Sequence, residues 1–445
     1  MLKYLNLSFC LFLFFILGSV SPIYLFADQK ELIVFFTGED NGRLEPCGCA
    51  TAQLGGLPRR HSFLDHLRIG ENKNILLLSN GDLIDGVGRQ DELKFQTTIQ
   101  AMHLMGYQVM NLGEKDFQFG VDYLKSMQPL SQFPFISSNV TDPEGTTISE
   151  KIFSHEVEMG GKEVELKIIG VMSPSFKTDL GPFVNVLDPV HVVRGLLGEN
   201  KDPSIFWILL YHGKLEEART LSEHFPQINV VITGHELEEP PPLEFVKVGE
   251  RIVAPTPMKG KYVGKLTLSL GEDGRFHFKD LDYIDLDEKV GSSKVVETLL
   301  EDYQLALKAE KIYQALEARN IEDGKSFVGS ETCAPCHIGA FTIWKDSRHP
   351  HAYKSIVPVK RQFDPDCLIC HSTGFKYISG FAGTEKTTHL AEVGCETCHG
   401  AGSLHIESPV DNRMIKPGVG TCVGCHDPEN SPNFEFEKYW EKIKH

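Results

Sequence analysis

Apolar runs of strand length alternate with mixed segments over the first two thirds of the chain. ELIVFFTG (31–38) is apolar almost without interruption, as expected of a strand buried on both faces. PRRHSFLDHLR (58–68) spaces its apolar residues as one helical face, and NILLLSNGD (74–82) returns to a strand pattern. DELKFQTTIQAMHLM (91–105) predicts a second helix, YQVMNLG (107–113) and FPFISSNV (133–140) further strands. SIFWILLYHG (204–213), EEARTLSEHF (216–225) and NVVITGH (229–235) predict strand, helix, strand. Residues 151–170 and 251–283 are rich in β-formers and are expected to make a second sheet. Val296, Leu299, Leu300, Tyr303 and Leu307 recur at helical spacing, which predicts a long helix over 288–319 joining two domains. Beyond it the periodicity stops, and turn-formers crowd GSETCAPC, FDPDC, GAGS, KPGVG and DPENSPN. The pattern predicts an α/β layered fold over 28–287, a linker helix over 288–325 and a small, mostly irregular or helical domain over 326–445.

Length agrees with this division, since 445 residues exceed one ordinary core. A net charge of −17 at pH 7 excludes nucleic acid as a partner and disfavours an anionic lipid surface. One lysine, an apolar run to about Val20 and the small Ala27 make residues 1–27 resemble a secretory signal peptide. An uncleaved anchor is the other reading, because Leu25 is a poor residue two places before Ala27. Cys10 falls within this leader. No other segment approaches the roughly 20 apolar residues that span a bilayer. The mature chain is therefore expected in the periplasm, without a transmembrane span, with outer-surface association left open.

Four C-x-x-C-H motifs dominate the last quarter. They are Cys333, Cys336 and His337; Cys367, Cys370 and His371; Cys395, Cys398 and His399; and Cys422, Cys425 and His426. Two thiols at this spacing can form thioethers on one porphyrin edge while the adjacent imidazole binds the iron, so four haem c groups are expected. Zinc or disulfides explain the cysteine pairs but not a histidine after every second cysteine. Five histidines remain in the segment, His349, His351, His389, His405 and His445, as candidate ligands on the opposite haem faces. With both axial positions filled, a haem carries electrons rather than binding substrate. The haems would supply much of this domain's core.

In the α/β part, Glu39, Asp82, Glu114, His212 and His235 fall just beyond strand ends, where open α/β sheets place their chemistry. Singly, each reads as a cap or turn residue. Together they form a candidate site for one divalent ion, Zn, Mn or Fe.

Two resemblances follow from longer stretches. FVGSETCAPCH, WKDSRHPHAY, VGCETCHGAGSLH and CVGCHDPENSPNFEFEKYWEKIKH resemble the cytochrome c-554 type of multihaem cytochrome over the last 120 or so residues. That family moves electrons between redox partners. The resemblance assigns distal ligation to His349, His405 and His445, with His351 or His389 as the fourth.

SNGDLIDG, MGYQVMNLGEKDFQFG, YHG and ITGHEL are similar, over about 31–285, to the 5′-nucleotidase branch of the calcineurin-like metallophosphatases. The resemblance implies a four-layer β-sandwich flanked by helices and a two-metal phosphoesterase site. The ligand positions depart from it. Glu39-Asp40-Asn41 stands where the family has D-x-H, Glu114-Lys115 where it has Asn-His, Gln118 where an Asp supports that His, and Leu237 where G-H-x-H has its second His. One metal position keeps Asp82, His212 and His235 with Glu114; the other keeps Asp82 and Glu39. Lys115 is the candidate for stabilising negative charge in place of the family's His.

Cys47 and Cys49, in EDNGRLEPCGC, are the remaining cysteines, and they can reach the same rim. A local disulfide, thiolate ligation of a metal and redox contact with a haem edge are all open to them. The leading expectation is an exported electron-transfer protein fed by redox proteins or a quinol-linked donor, with an altered phosphatase-like domain as platform. The alternative is a metal-dependent phosphoester hydrolase with an accessory cytochrome and an unnamed small-molecule substrate. A redox enzyme working at the Cys47–Cys49 rim would combine the two.

Overall fold

The computed structural model describes residues 31–46, 53–69, 74–198, 202, 204–235, 244–315, 318–321 and 324–445. The leader and the Cys47–Cys49 pair lie outside these residues, as does Leu237.

Two six-stranded sheets face each other. One runs in the order Phe276–Asp285, Tyr262–Leu270, Glu31–Thr37, Ile75–Ser79, Val109–Asn111, Phe135–Ile136. Its last four strands are parallel, and Tyr262–Leu270 pairs antiparallel with Glu31–Thr37. The other runs Val246–Val248, Arg251–Pro255, Ile228–Gly234, Phe206–His212, Lys162–Met172, Ile152–Met159, with a parallel centre and antiparallel edges.

Strand alternation explains the layering. Leu32, Val34, Phe36, Leu76 and Leu78 point into the space between the sheets, where Ile208, Leu210 and Ile232 meet them. Phe35 and Leu77 point the other way, onto helices Leu57–Ile69, Arg89–Met105 and Lys294–Glu310. Trp207, Leu209 and Val231 face helices Pro189–Leu197 and Leu215–His224. Every residue of the central strand Phe206–His212 is buried, which is why its sequence reads as one apolar run. The result is the expected four-layer sandwich.

The packing corrects one expectation, refines a second and adds two helices. Residues 251–283 do not form a sheet of their own: Arg251–Pro255 joins the second sheet, while Tyr262–Leu270 and Phe276–Asp285 close the first. The helix expected over 288–319 spans Lys294–Glu310, with a short helix Ile312–Ala315 after it, and it buries Val296, Leu300, Tyr303 and Leu307 in the α/β core. Helices Val121–Ser131 and Pro189–Leu197 had no clear sequence signal. Pro129 obscures the first, and the second is only nine residues long and opens on Pro189, with Asp188 capping the His191 amide.

The last 120 residues form short helices of four to eight residues, such as Ile338–Lys345, Pro365–His371 and Cys395–His399. Their buried cluster is small: Tyr353, Ile356, Leu368, Phe375, Phe381, Leu390 and Ala391. No helix among the described residues is long and apolar enough to cross a membrane.

Candidate functional site

Five sequence-selected residues arrive at one edge of the sandwich, each at the carboxyl end of a parallel strand. Glu39, Asp82 and Glu114 follow strands of the first sheet; His212 and His235 end or follow strands of the second. Asp82, Glu114, His212 and His235 each offer a ligand atom within 4.8 Å of the others. His212 Nε2 lies 2.6 Å from Glu114 Oε2 and 3.5 Å from Asp82 Oδ2. His235 Nδ1 lies 3.4 Å from Glu114 Oε1 and 3.7 Å from Asp82 Oδ2. Glu39 is buried beside this cluster but is not one of the four converging residues.

Buried polar side chains hold the arrangement. Asp116 accepts the amides of Asp82 (2.9 Å), Leu83 (3.0 Å) and Gly113 (2.9 Å), which ties two site loops together. Asn111 Nδ2 donates to Asn80 Oδ1 (3.0 Å) and Asn80 Nδ2 to the Tyr211 carbonyl (3.0 Å), linking the two sheets under the site. His212 Nδ1 donates to the Asn80 carbonyl (3.2 Å), so Nε2 is the atom turned toward the carboxylates. Phe176 packs 4.2 Å from the His235 ring and 5.4 Å from that of His212, forming an apolar wall. Below, Arg60 forms a two-pronged buried pair with Asp40, at 2.5 and 2.9 Å. Asp116, Asn80, Asn111 and Arg60 were not singled out in the sequence, where each reads as an ordinary turn, strand-end or helix residue.

Close approach is built into the backbone. A Cβ on Gly113 would meet Asp82 Oδ1 at 2.1 Å, and one on Gly234 would meet Glu39 Oε1 at 2.5 Å. Glu39, Asn41, Asp82, His235 and Lys259 all have positive φ, between 49° and 81°. Left-handed backbone costs an ordinary residue on the order of 1–3 kcal/mol and gathers at functional sites.

The electrostatics call for a cation. Glu39 Oε1 and Asp82 Oδ2 are buried without a hydrogen-bond donor. Burial pushes Glu39 up to about 8, with Asp82 and Glu114 adding to it against His212 and Lys115. Burial opposes charge on Asp82 too, but His212 and His235 hold that carboxyl below its usual range. Burial would lower His212, yet Asp82 and Glu114 carry it up to about 10. Two carboxylates and two imidazoles converging in a buried pocket are a donor set for a divalent ion such as Zn, Mn or Fe.

Three of the C-x-x-C-H histidines each face another histidine. The rings of His337 and His405 lie 6.1 Å apart, those of His349 and His426 6.4 Å, and those of His399 and His445 5.7 Å. Two imidazoles on opposite faces of an iron, each with a bond of roughly 2 Å, place their ring centres about this far apart. Carbonyls fix the tautomers: Nδ1 of His371, His399, His405 and His445 donates to the carbonyls of Ala352, Ile415, Asn412 and Ile443, which leaves Nε2 for iron. His389 packs against Gly329, next to the first motif, and His351 follows His349 in the turn His349–His351. Cys333 lies within hydrogen-bonding reach of Cys395, and Cys425 within reach of Cys370, so the first motif meets the third and the second meets the fourth, while Cys398 of the third also lies near Cys422 and Cys425. Buried Glu396 accepts the amides of Val328, Gly329 and Gly402, joining the first and third motifs. Exposed Ile338, Val419 and Val423 adjoin the motifs, where a porphyrin would cover them.

The two parts meet through polar contacts. Lys94 pairs with Asp366 (2.7 Å), and Gln90 and Gln304 donate to Asp364, at the helix carrying Cys367 and Cys370. Arg43 (2.7 Å), Lys259 and Lys261 (3.7 Å) surround Glu429, three residues after His426. Arg361 pairs with Glu45.

Comparison with known proteins finds two kinds of relative. Residues 332–400 match the family described as cytochrome c554 and c-prime. Cytochrome c-554 of Nitrosomonas europaea is 30% identical over 111 residues, 22% of this chain and 47% of that protein. A 5′-nucleotidase of Rattus norvegicus is 28% identical over 234 residues, 49% of this chain and 40% of the enzyme. The chain thus spans less than half the length of either curated relative. The structure of a 5′-nucleotidase precursor from Thermus thermophilus superposes with a TM-score of 0.54 at 22% identity, covering 68% of this chain and 63% of that one. This chain therefore joins a 5′-nucleotidase-like domain of calcineurin-type phosphoesterase fold to a cytochrome c554-like domain that implies haem.

Proposed function

We propose that this is an exported, metal-dependent hydrolase of phosphoester-type bonds in small molecules, joined to a four-haem module that passes electrons to redox partners. The observation that carries the hydrolase reading is the convergence of Asp82, Glu114, His212 and His235, four donors from both sheets within 4.8 Å. A divalent ion held there would polarise a phosphoryl oxygen and lower the pKa of water. Asp82 Oδ2, Glu114 and the two imidazoles would hold it, with the His212 ring fixed by the Asn80 carbonyl. Phe176 keeps solvent off the imidazoles on one side. Lys115 adds positive charge at the rim. The rat relative's name makes nucleotides the first substrates to try. Four C-x-x-C-H motifs support four haems, and the three facing histidine pairs support electron transfer through six-coordinate irons. The leader-like start and the haem c motifs support a periplasmic location.

A second reading keeps the electron transfer and makes the α/β domain a platform. It is favoured by the altered residues Glu39, Asn41 and Lys115. Metal content and hydrolysis of nucleotides and phosphodiesters by the full holo-chain decide between them. The hydrolase reading expects bound divalent metal besides iron, and turnover abolished by His212→Ala with haem spectra unchanged. A chain with intact haems, no second metal and no turnover with Mn or Zn would leave the platform reading.

A further inference from the structure

The rim of the metal site holds a cation of its own. Lys115 Nζ donates to Asn41 Oδ1 at 3.0 Å and pairs with Asp85 Oδ1 at 2.8 Å. It therefore spans the loop after Glu31–Thr37 and the loop after Ile75–Ser79, the two loops that carry Glu39 and Asp82. Its backbone amide donates to Asp82 Oδ1 at 3.1 Å, leaving Oδ2 as the oxygen of Asp82 turned to the imidazoles.

Two-metal hydrolytic sites place their ions about 3.5–4 Å apart and need ligands on both sides of a shared group. The four-residue cluster supplies one such set. A second ion would have to lie on the other side of Asp82, where the remaining donors among the described residues are Glu39 and Asn41. The Asn41 carbonyl oxygen is engaged by Lys115, and a divalent ion beside it would face the ammonium directly. Among the described residues, the donors fit one divalent ion and do not fit two.

We propose that the Lys115 ammonium takes the place of the second cation, so that the site binds one divalent ion and Lys115 supplies the remaining positive charge toward the oxygens of an anionic substrate. The inference rests on the metal site proposed above. A lysine ammonium is a compact charge with three donors. It can neutralise developing oxyanion charge but cannot lower the pKa of water as a divalent ion would, so that chemistry would fall to the ion held by Asp82, Glu114, His212 and His235.

The test is Mn²⁺ binding to the full holo-chain, read as loss of the free-ion EPR signal, with His212→Ala marking binding outside the site. One equivalent abolished by His212→Ala is expected for the native chain, and two equivalents for Asn41→His combined with Lys115→Ala. Lys115→Arg, which keeps the charge, is expected to bind one. Haem absorbance and thermal unfolding establish that each variant is folded. Two equivalents in the native chain would overturn the proposal while leaving the metal site standing, as would a single equivalent in the Asn41→His, Lys115→Ala chain. No site-specific binding in the native chain would overturn the metal site and this inference with it.

Discussion

The two halves of this molecule assemble their chemistry in opposite ways. In the α/β domain the site residues are scattered over about 200 positions and meet only because the strands that carry them lie side by side. In the cytochrome-like domain each C-x-x-C-H motif is complete within five consecutive residues, and folding brings a further histidine opposite three of them. The first domain has three apolar clusters that fix its backbone before any metal is considered. The second has one small cluster, and its motif-bearing segments carry exposed Ile338, Val419 and Val423. The difference teaches where each domain's order comes from. A metal bound by buried polar residues requires a finished scaffold, whereas a covalently attached porphyrin can itself be the scaffold.

The contrast can be broken most directly by withholding haem. The full chain made in a host lacking c-type haem attachment is expected to lose residues 326–445 to limited proteolysis while a core covering roughly 31–310 survives. A protease-resistant apo segment would show that side chains suffice there. Removing one axial histidine is a smaller step: His405→Ala should convert one haem from low to high spin in the absorption spectrum, with the α/β unfolding transition unmoved. An unchanged spectrum would remove His405 from the ligand set.

On the other side of the comparison, Arg60→Ala leaves Asp40 buried without its partner. A cost of about 3–5 kcal/mol is expected, measured by denaturant unfolding of the α/β domain with haem absorbance as the internal reference. Asp116→Ala releases three amides of the site loops. It should weaken Mn²⁺ binding roughly 10–100-fold, the usual effect of losing an outer support of a metal site. Unaltered affinity would show that the loops hold themselves. The smallest effect is expected at the joint. Glu429→Gln weakens the contacts to Arg43, Lys259 and Lys261, and should cost about 1 kcal/mol or less. Faster proteolysis between the domains in this variant, matched by the native chain at high salt, would mark an electrostatic clasp.

Much of this was legible in the sequence. Continuous apolar runs such as FWILLYH mark strands buried on both faces, and helix 89–105 appears almost where its periodicity places it. Asp82, Glu114, His212 and His235 could be selected because each follows a strand, and all four converge. Their supports could not. Asp116 has value only through amides contributed by two separate loops, and Arg60 only through Asp40, 20 residues earlier. That Lys294–Glu310 packs on the α/β core was not legible for a similar reason: an amphipathic face shows that a helix packs, not what it packs on.

The sequence by itself determined the haem chemistry, because thiol, thiol and imidazole must be neighbours in the chain to hold one porphyrin edge and its iron. It also determined the alternation of strands and helices, because period and burial are local properties. Only the tertiary structure decided which histidines face one another, which carboxylate stands outside the four-residue cluster, and that Lys115 reaches Asn41. Those facts depend on distances between segments far apart in sequence, and such distances exist only once both sheets have packed.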